Sequence, residues 1–232
     1  MIKAVFLDVG GVLHLPTEER MREALAGAGF TLPPNVLARA HYAGMAGHDR
    51  FDGEYIEVMG PYVEEMVADL GVPDQQVDAA RAALLAALTK PGAWAGRLQE
   101  SVEGLPALAS TGVRIGIVSN ADGSVEARLR EEGICQVGPG EGIPVDIVVD
   151  SGTVGVRKPD PRIWDSALAA TEVRPEEAVH VGDSLITDVG GARAAGIRPL
   201  HFDPFGLCRL EDHEHADSMA AIVKLVRAEA RT

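Results

Sequence analysis

The stretch FLDVGGVL, residues 6–13, decides the fold prediction for this chain. The short apolar run over residues 3–9 ends at Gly10 and Gly11, a pattern typical of a buried strand that is followed by a tight turn. Asp8 interrupts the apolar run, which makes the N-terminus a poor signal peptide. The sequence therefore predicts a core strand that carries a carboxylate at its end.

Apolar, β-rich segments like this one return further along the chain, where helical segments separate them in the second half. Strands that are apolar on both faces and alternate with helices indicate a parallel sheet covered by helices on both sides. We therefore predict a doubly wound α/β core with a mostly parallel five-stranded sheet. The four further strands are predicted at VRIGIVS (113–119), VDIVVD (145–150), AVHVGD (178–183) and IRPLHFD (197–203).

The segment between the first two strands is far longer than a crossover connection needs, so it must hold structure of its own. Its apolar residues recur at three- and four-residue spacing, with Gly or Pro between the runs, which predicts helices. We expect an all-helical subdomain over residues 17–97 and a core formed by residues 1–16 and 98–232. The predicted helices are EERMREALAGAG, NVLARAHYAGMAG, YIEVMGPYVEEMVADLG and QQVDAARAALLAALTK.

The chain of 232 residues has a formal net charge of −14, which argues against nucleic acid or anionic membranes as partners. A phosphorylated substrate would be repelled too, so its site must be locally positive. The two cysteines, Cys135 and Cys208, resemble neither a disulfide framework nor a metal ligand set. No apolar stretch approaches the length of a membrane span. We expect a cytoplasmic monomer or homodimer.

Several chemically versatile side chains are predicted at one edge of the sheet. Ligands bind beyond the carboxyl ends of parallel strands, and Asp8, Ser119 and Asp183 all stand at such ends. Lys158 lies in the loop after the third strand, and Asp188 follows Asp183. A carboxylate nucleophile, a hydroxyl, a cation and an acidic pair are what metal-assisted phosphoryl transfer needs.

Four motifs in fixed order resemble those of the haloacid dehalogenase-like hydrolase superfamily, and the helical insertion has the position of that family's cap. The resemblance implies a Mg²⁺-dependent phosphatase that acts on a small phosphorylated metabolite through an aspartyl phosphate. It also implies that the strand of Asp8 lies between those of Ser119 and Asp183. The motifs are DVGGVL (8–13), SN (119–120), the Lys of RKPDP (157–161), and GDSLITD (182–188) followed by GARAAG (191–196).

The resemblance implies a role for each catalytic side chain. Asp8 attacks phosphorus, Lys158 neutralises phosphoryl charge and orients Asp8, and Ser119 and Asn120 donate hydrogen bonds to the phosphoryl oxygens. Gly11 is a further substrate-binding candidate. Each residue alone also has an ordinary explanation: a turn-capping Asp, a Ser-Asn helix N-cap, or a solvated loop Lys.

The predicted Mg²⁺ ligands are Asp8, Asp183, the backbone carbonyl of Gly10 and Asp188, the last either as a direct ligand or through a neighbour. An N-cap and a solvated helix residue are the alternative for the acidic pair. The family has a second Asp where this chain has Gly10, and that Asp normally protonates the leaving group. Its loss predicts a preference for good leaving groups, unless another residue supplies the proton.

The candidate replacements are His14, which follows the first motif, and His48 and Arg50 in the cap. His14 is also a plausible turn histidine without a task, and His180 reads as a structural residue inside a strand. Trp94 and Trp164 are expected to pack helices or a hinge. The cap residues expected to select the substrate are Arg39, His41, Tyr42, His48 and Arg50.

Two other functions stay open. A 2-haloacid dehalogenase shares the fold and the Asp nucleophile but needs no metal, and the acidic pair argues against it. A phosphometabolite sensor that has lost catalysis at Gly10 is the other possibility.

Overall fold

A computed structural model gives the fold and describes residues 1–50 and 55–229, without the side chains of residues 55–58. Residues 51–54 of the predicted helical subdomain and 230–232 of the predicted core lie outside the described residues. The chain divides into two compact units. The first comprises Met1–Leu13, Gln99–Pro204 and Leu210–Thr232, and the second comprises His14–Leu98 and Phe205–Arg209.

The described elements follow one another as strands and helices, with two 3₁₀ helices at Pro161–Trp164 and Pro175–Glu177 and a π-helix at Leu185–Gly190. In chain order they are β1 (Ala4–Leu7), β2 (His14–Leu15), α1 (Glu18–Gly27), α2 (Leu37–His48), α3 (Tyr55–Asp69), α4 (Asp74–Leu88), β3 (Gly96–Arg97), α5 (Gln99–Ala109), β4 (Arg114–Ser119), α6 (Val125–Glu131), β5 (Cys135–Val137), β6 (Ile143–Val145), β7 (Ile147–Asp150), α7 (Ser151–Val154), α8 (Asp165–Thr171), β8 (Ala178–Gly182), α9 (Gly191–Ala194), β9 (Arg198–Phe202), β10 (Glu214–Ala216) and α10 (Met219–Glu229).

The first unit is built on a six-stranded sheet with the order β10-β9-β8-β1-β4-β7, in which every neighbouring pair is parallel. The two central strands, β1 and β8, are buried throughout because helices cover both faces. This confirms the predicted doubly wound α/β fold and all five predicted strands. It also confirms that β1 lies between β4 and β8.

The sixth strand, β10, was not predicted. Its residues Glu214 and His215 are polar and exposed, and only Ala216 is buried. An edge strand needs no apolar side chains on both faces, so it carries no apolar run that a sequence reading can detect.

One hydrophobic cluster of the first unit joins residues of the sheet to residues of the segments packed on it. Phe6 of β1 contacts the backbone of β4 closely, since a Cβ at Gly116 would lie 2.9 Å from the Phe6 ring. Trp164 is fully buried in the same cluster, and its ring lies 2.7 Å from where a Cβ of Gly191 would stand. The start of α9 is therefore held tightly against the loop that carries Lys158.

The second unit contains helices α1 to α4 and one small antiparallel ribbon, which the all-helical prediction did not include. In this ribbon His14 pairs with Arg97 and Leu15 with Gly96, so both connecting segments belong to this unit. Its bounds differ from the predicted ones at residues 14–16 and 98, and at 205–209. Helices α2 and α3 pack closely at Gly47, where a Cβ would lie only 2.2 Å from the Pro61 carbonyl oxygen. The absence of a side chain at Gly47 permits this approach.

Among the described residues, none of the helices combines the length and the apolar character that crossing a membrane requires.

Candidate active site

Asp8 directly follows β1 and is buried. Its backbone N–H donates to the Val181 carbonyl of β8 at 2.9 Å, which fixes the end of the strand. The turn continues through Gly11, whose φ of +68° is a left-handed conformation that favours glycine. A Cβ on Gly11 would lie only 1.9 Å from Asp183 Oδ2. Because Gly11 has no Cβ, the turn can approach the Asp183 carboxylate this closely.

Ser119 is the last residue of β4, and Asp183 directly follows β8; these are the two strands that flank β1. In the sheet register Leu7 is level with Ile117 of β4 and with Val181 of β8, so Ser119 and Asp183 stand just past the level of Asp8. Both side chains are buried. The structure thus brings these three predicted residues to one edge of the sheet.

Lys158 lies between two carboxylates. Its Nζ donates a hydrogen bond to Asp188 Oδ1 at 2.6 Å and lies 2.9 Å from Asp8 Oδ1 in an ion pair. The Lys158 side chain is 1% exposed. A buried ammonium is tolerable only when opposite charges offset its lost hydration, so this position is built for a fixed cation. The alternative of a solvated loop Lys is excluded.

The three groups shift one another's protonation. Burial is the largest effect on Asp8 and, together with the charge of Asp188, raises its pKa although Lys158 lowers it. Burial alone would lower the pKa of Lys158, but Asp188 and Asp8 together outweigh it and raise that pKa. Burial would likewise raise the pKa of Asp188, whereas Lys158 and His180 together hold it well below its usual range. Lys158 and Asp188 are therefore a charged pair, and the negative charge of Asp8 is only partly offset by Lys158.

Asn120 holds the backbone of Lys158 from both sides. Asn120 Oδ1 accepts from the Lys158 N–H at 2.8 Å, and Asn120 Nδ2 donates to the Lys158 carbonyl at 2.9 Å. The next peptide bond, Lys158–Pro159, is cis. The observed contacts make Asn120 a positioning residue for Lys158, and its predicted contact with substrate stays a prediction.

Both carboxylate oxygens of Asp188 accept hydrogen bonds. Besides Lys158, His180 Nε2 lies 2.7 Å from Asp188 Oδ1, and the Ser184 N–H donates to Oδ2 at 3.1 Å. Trp164 Nε1 donates to His180 Nδ1 at 3.3 Å, so the other ring nitrogen, Nε2, carries the hydrogen that faces Asp188. His180 and Trp164, predicted only as packing residues, are thus part of the network that orients Asp188.

Asp150 is a further positioning residue that the sequence analysis missed. It ends β7 and is level with Ser119 in the sheet register. Its Oδ2 accepts from the N–H groups of Gly123 and Val125 at 2.9 and 3.2 Å, which shapes the loop after Ser119. The signal was available in the predicted strand VDIVVD, which ends in this carboxylate.

The carboxylates fit a divalent metal. Asp8, Asp183 and Asp188 each offer an oxygen, and these atoms lie within 4.8 Å of one another. Carboxylate oxygen is the donor that hard cations such as Mg²⁺ prefer. Since three carboxylates meet one ammonium here, a further cation would offset the remaining negative charge. Both oxygens of Asp188 already accept hydrogen bonds.

His14 and the predicted cap residues lie in the second unit. His14 is buried in β2, and His41 is buried with its Nδ1 2.9 Å from Tyr62 Oη. His48 Nδ1 lies 3.1 Å from Asp49 Oδ1. Two arginines form ion pairs, Arg39 with Asp69 and Arg50 with Glu65. Their roles in proton transfer and substrate selection stay predictions, as does metal binding by the Gly10 carbonyl.

Comparisons with known proteins agree with this fold. The chain is 49% identical over 67 residues to a phosphoserine phosphatase of Thermus thermophilus. The matched segment covers 29% of this chain and 27% of that protein. It is 42% identical over 72 residues to a glyceraldehyde 3-phosphate phosphatase of Pyrococcus furiosus, covering 30% of each. The chain spans about half or less of the length of the curated relatives it matches.

A solved 2-haloacid dehalogenase from Pseudomonas syringae pv. tomato has the same fold, with a TM-score of 0.55 at 22% identity, over 99% of this chain and 100% of that one. Residues 2–196 match the family model described as haloacid dehalogenase-like hydrolase. This match covers all four motifs and confirms the resemblance that they indicated. The chain belongs to the haloacid dehalogenase-like hydrolase family.

Proposed function

We propose that this hydrolase is a Mg²⁺-dependent phosphatase that acts on a small phosphorylated metabolite. The observation that carries the proposal is Lys158, held between Asp8 and Asp188 at 2.9 and 2.6 Å. A buried ammonium beside a carboxylate suits a reaction in which a phosphoryl dianion must approach that carboxylate.

Asp8 is the nucleophile in this proposal. One of its oxygens forms a bond to phosphorus while the bond from phosphorus to the leaving oxygen breaks, and the leaving oxygen departs as an anion that takes a proton from water. Water then attacks phosphorus and the bond to Asp8 breaks, which releases inorganic phosphate and restores the carboxylate. Lys158 offsets phosphoryl charge in both steps, and the Ser119 hydroxyl donates to a phosphoryl oxygen.

The residues that would hold Mg²⁺ are Asp8, Asp183 and the carbonyl of Gly10, with Asp188 acting through Lys158 and the Ser184 backbone. When bound, Mg²⁺ supplies positive charge that reduces repulsion between Asp8 and the phosphoryl oxygens. The clustering of carboxylate oxygens within 4.8 Å supports this arrangement. Gly11, which has no Cβ, leaves the room that the Asp183 carboxylate occupies.

Gly10 limits the substrates. It carries no side chain that can protonate a leaving group, and general acid help is typically worth about 10²–10⁴ in rate. The preferred substrates are then aryl, acyl or anomeric phosphates, whose leaving groups depart without a proton donor. The alternative is that His14, His48 or Arg50 supplies the proton.

The curated relatives support phosphoryl chemistry, because those reported above are phosphatases acting on small metabolites. The dehalogenase likeness concerns the fold alone at 22% identity. A dehalogenase has no need of a metal-binding acidic cluster, which this chain retains at Asp8, Asp183 and Asp188. We propose a cytoplasmic location and a monomer or homodimer on the sequence grounds given above.

The test is release of phosphate from p-nitrophenyl phosphate and a panel of phosphometabolites, with Mg²⁺ and with EDTA. We expect Mg²⁺-dependent turnover that Asp8→Asn abolishes, and a covalent phosphoryl adduct on Asp8 after rapid quenching. Halide release from 2-haloacids in the presence of EDTA would instead identify a dehalogenase. Binding of phosphometabolites with no turnover of any substrate would identify a sensor.

A further inference from the structure

Three histidines lie together at the edge of the sheet: His201 in β9, His213 directly before β10, and His215 in β10. His201 and His215 are level in the parallel register, and His213 is two residues from His215, so strand geometry directs all three side chains to one face. Their ring centroids lie 4.5–5.3 Å apart. Each ring offers one nitrogen, and these nitrogens lie within 4.8 Å of one another.

The hydrogen bonds of two of these rings fix where their hydrogens are. His201 Nε2 lies 3.1 Å from the Asp183 carbonyl oxygen, which can only accept, so Nε2 carries the hydrogen. His213 Nδ1 lies 2.7 Å from Asp212 Oδ1. A carboxylate is ionised near neutral pH and can only accept, so Nδ1 carries the hydrogen of His213.

A neutral imidazole has one hydrogen, so the two remaining nitrogens both carry lone pairs. These nitrogens, His201 Nδ1 and His213 Nε2, face each other at 3.0 Å. Two lone pairs at this distance repel unless a proton or a metal cation lies between them.

The arrangement also fits a metal ion. Two nitrogens bound at 2.0–2.1 Å to one tetrahedral zinc ion are roughly 3.3 Å apart, close to the observed separation. In metal-bound histidines the far nitrogen normally donates to a carbonyl or a carboxylate. His201 does so to Asp183 and His213 to Asp212.

We propose that His201, His213 and His215 bind a transition-metal ion of the zinc class, at a centre separate from the carboxylate cluster. Imidazole nitrogen suits Zn²⁺, Co²⁺, Ni²⁺ and Cu²⁺, whereas Mg²⁺ prefers the oxygen ligands of Asp8, Asp183 and Asp188. The two centres therefore select different ions.

This centre would also support the active site. A metal on His201 Nδ1 fixes the ring, and Nε2 of the same ring holds the backbone carbonyl of Asp183. The ion would then stiffen the β9–β10 edge and Asp183 together, so that His201 acts as a positioning residue.

The test uses the full chain without a histidine tag, stripped with chelator and then kept in excess Mg²⁺ to occupy the carboxylates. Titration with Co²⁺ and Zn²⁺, followed by metal analysis and by the visible absorption of Co²⁺, reports on the site without reference to activity. We expect one tightly bound ion per chain. Zn²⁺ should raise the melting temperature, because a ligand that binds only the folded state stabilises it.

The variant His213→Asn/His215→Asn should weaken Co²⁺ binding by more than ~100-fold, since loss of an outer partner alone costs about 10- to 100-fold. His215→Asn alone changes an exposed side chain and serves if the double variant does not fold. The controls Asp8→Asn and His48→Asn should bind Co²⁺ as the wild type does. Equal binding by the histidine variants, loss of binding in Asp8→Asn, or no binding by the wild type would overturn the proposal.

Discussion

Asn120 and Lys158 are joined by two hydrogen bonds, 2.8 and 2.9 Å long, between the Asn120 amide and the N–H and carbonyl of Lys158. These residues lie far apart in the sequence, yet the amide fixes the backbone that carries the buried ammonium. The position of Lys158 between two carboxylates thus depends on a side chain from β4's carboxyl end.

Asn120→Ala should therefore lower kcat through Lys158. The change leaves two backbone groups without partners, at about 1–3 kcal/mol of stability for each one that stays buried. We expect a kcat reduced at least tenfold with a smaller change in KM, measured with p-nitrophenyl phosphate. Gln99→Ala, which removes an exposed amide, is the control and should behave as wild type. Unchanged kcat in Asn120→Ala would show that Lys158 needs no such support.

Lys158→Met should destabilise the protein, because it leaves Asp8 and Asp188 buried without their cation. Breaking a buried pair typically costs about 3–5 kcal/mol, measured here by urea unfolding. Lys224→Met, at an exposed lysine, is the control. In a double-mutant cycle with Asp188→Asn we expect a coupling of roughly 0.5–3 kcal/mol. Additive effects would contradict the observed ion pair.

Gly11→Ala should displace Asp183 and weaken metal binding. A Cβ at this position would lie 1.9 Å from Asp183 Oδ2, and the backbone φ of +68° is unfavourable for alanine. We expect the Mg²⁺ concentration for half-maximal activity to rise at least ~10-fold, which is typical when a residue that orients a metal ligand is changed. Gly10→Ala is the matched control, because a Cβ there meets only Asp8 Oδ2, at 4.0 Å. Equal Mg²⁺ dependence of the two variants would refute the role of the close contact.

Gly10→Asp should widen the substrate range. A Cβ at Gly10 would meet only Asp8 Oδ2, at 4.0 Å, and the φ of Gly10 is not left-handed, so the backbone there accepts a side chain. A carboxyl group there can protonate the leaving oxygen, which should raise turnover of simple alkyl phosphates by about 10²-fold or more relative to aryl phosphates. Gly10→Asn, of the same size without the acid, is the control. An unchanged ratio in Gly10→Asp would mean that another residue already supplies the proton.

Cys135 should resist thiol reagents in the native protein. Burial raises the pKa of Cys135 to about 12, so its reactive thiolate is scarce near neutral pH. We expect Cys208→Ala protein to react with Ellman's reagent only after denaturation. Rapid reaction of that variant in native buffer would show that the thiol is accessible.

The sequence predicts most of the sheet, because five strands are apolar runs that end at turn residues. It also places Asp8, Ser119, Lys158 and Asp183 together, since parallel strands meet at one edge. Strand β10 was not predicted because its exposed, polar residues form no apolar pattern. The bounds of the second unit differ because the pairing of His14 with Arg97 is a long-range contact with no local signal.

The positioning residues were harder to predict than the reactive ones. His180 sits in an apolar strand like any core residue, and only the fold reveals that it faces Asp188. Asn120 resembles a helix cap, and its actual partner is the Lys158 backbone. The roles of such residues come from contacts made after folding, so residue type and spacing alone do not identify them.

The glycines at this edge set limits for protein engineering. Gly11, Gly182 and Gly191 each stand where neighbouring atoms fill the place of a side chain, with Asp188 Cγ 2.1 Å from a Cβ of Gly182. A combinatorial library aimed at new chemistry should keep these three fixed and randomise Gly10. Variants from such a library would then differ in reactivity without steric clashes at these three positions.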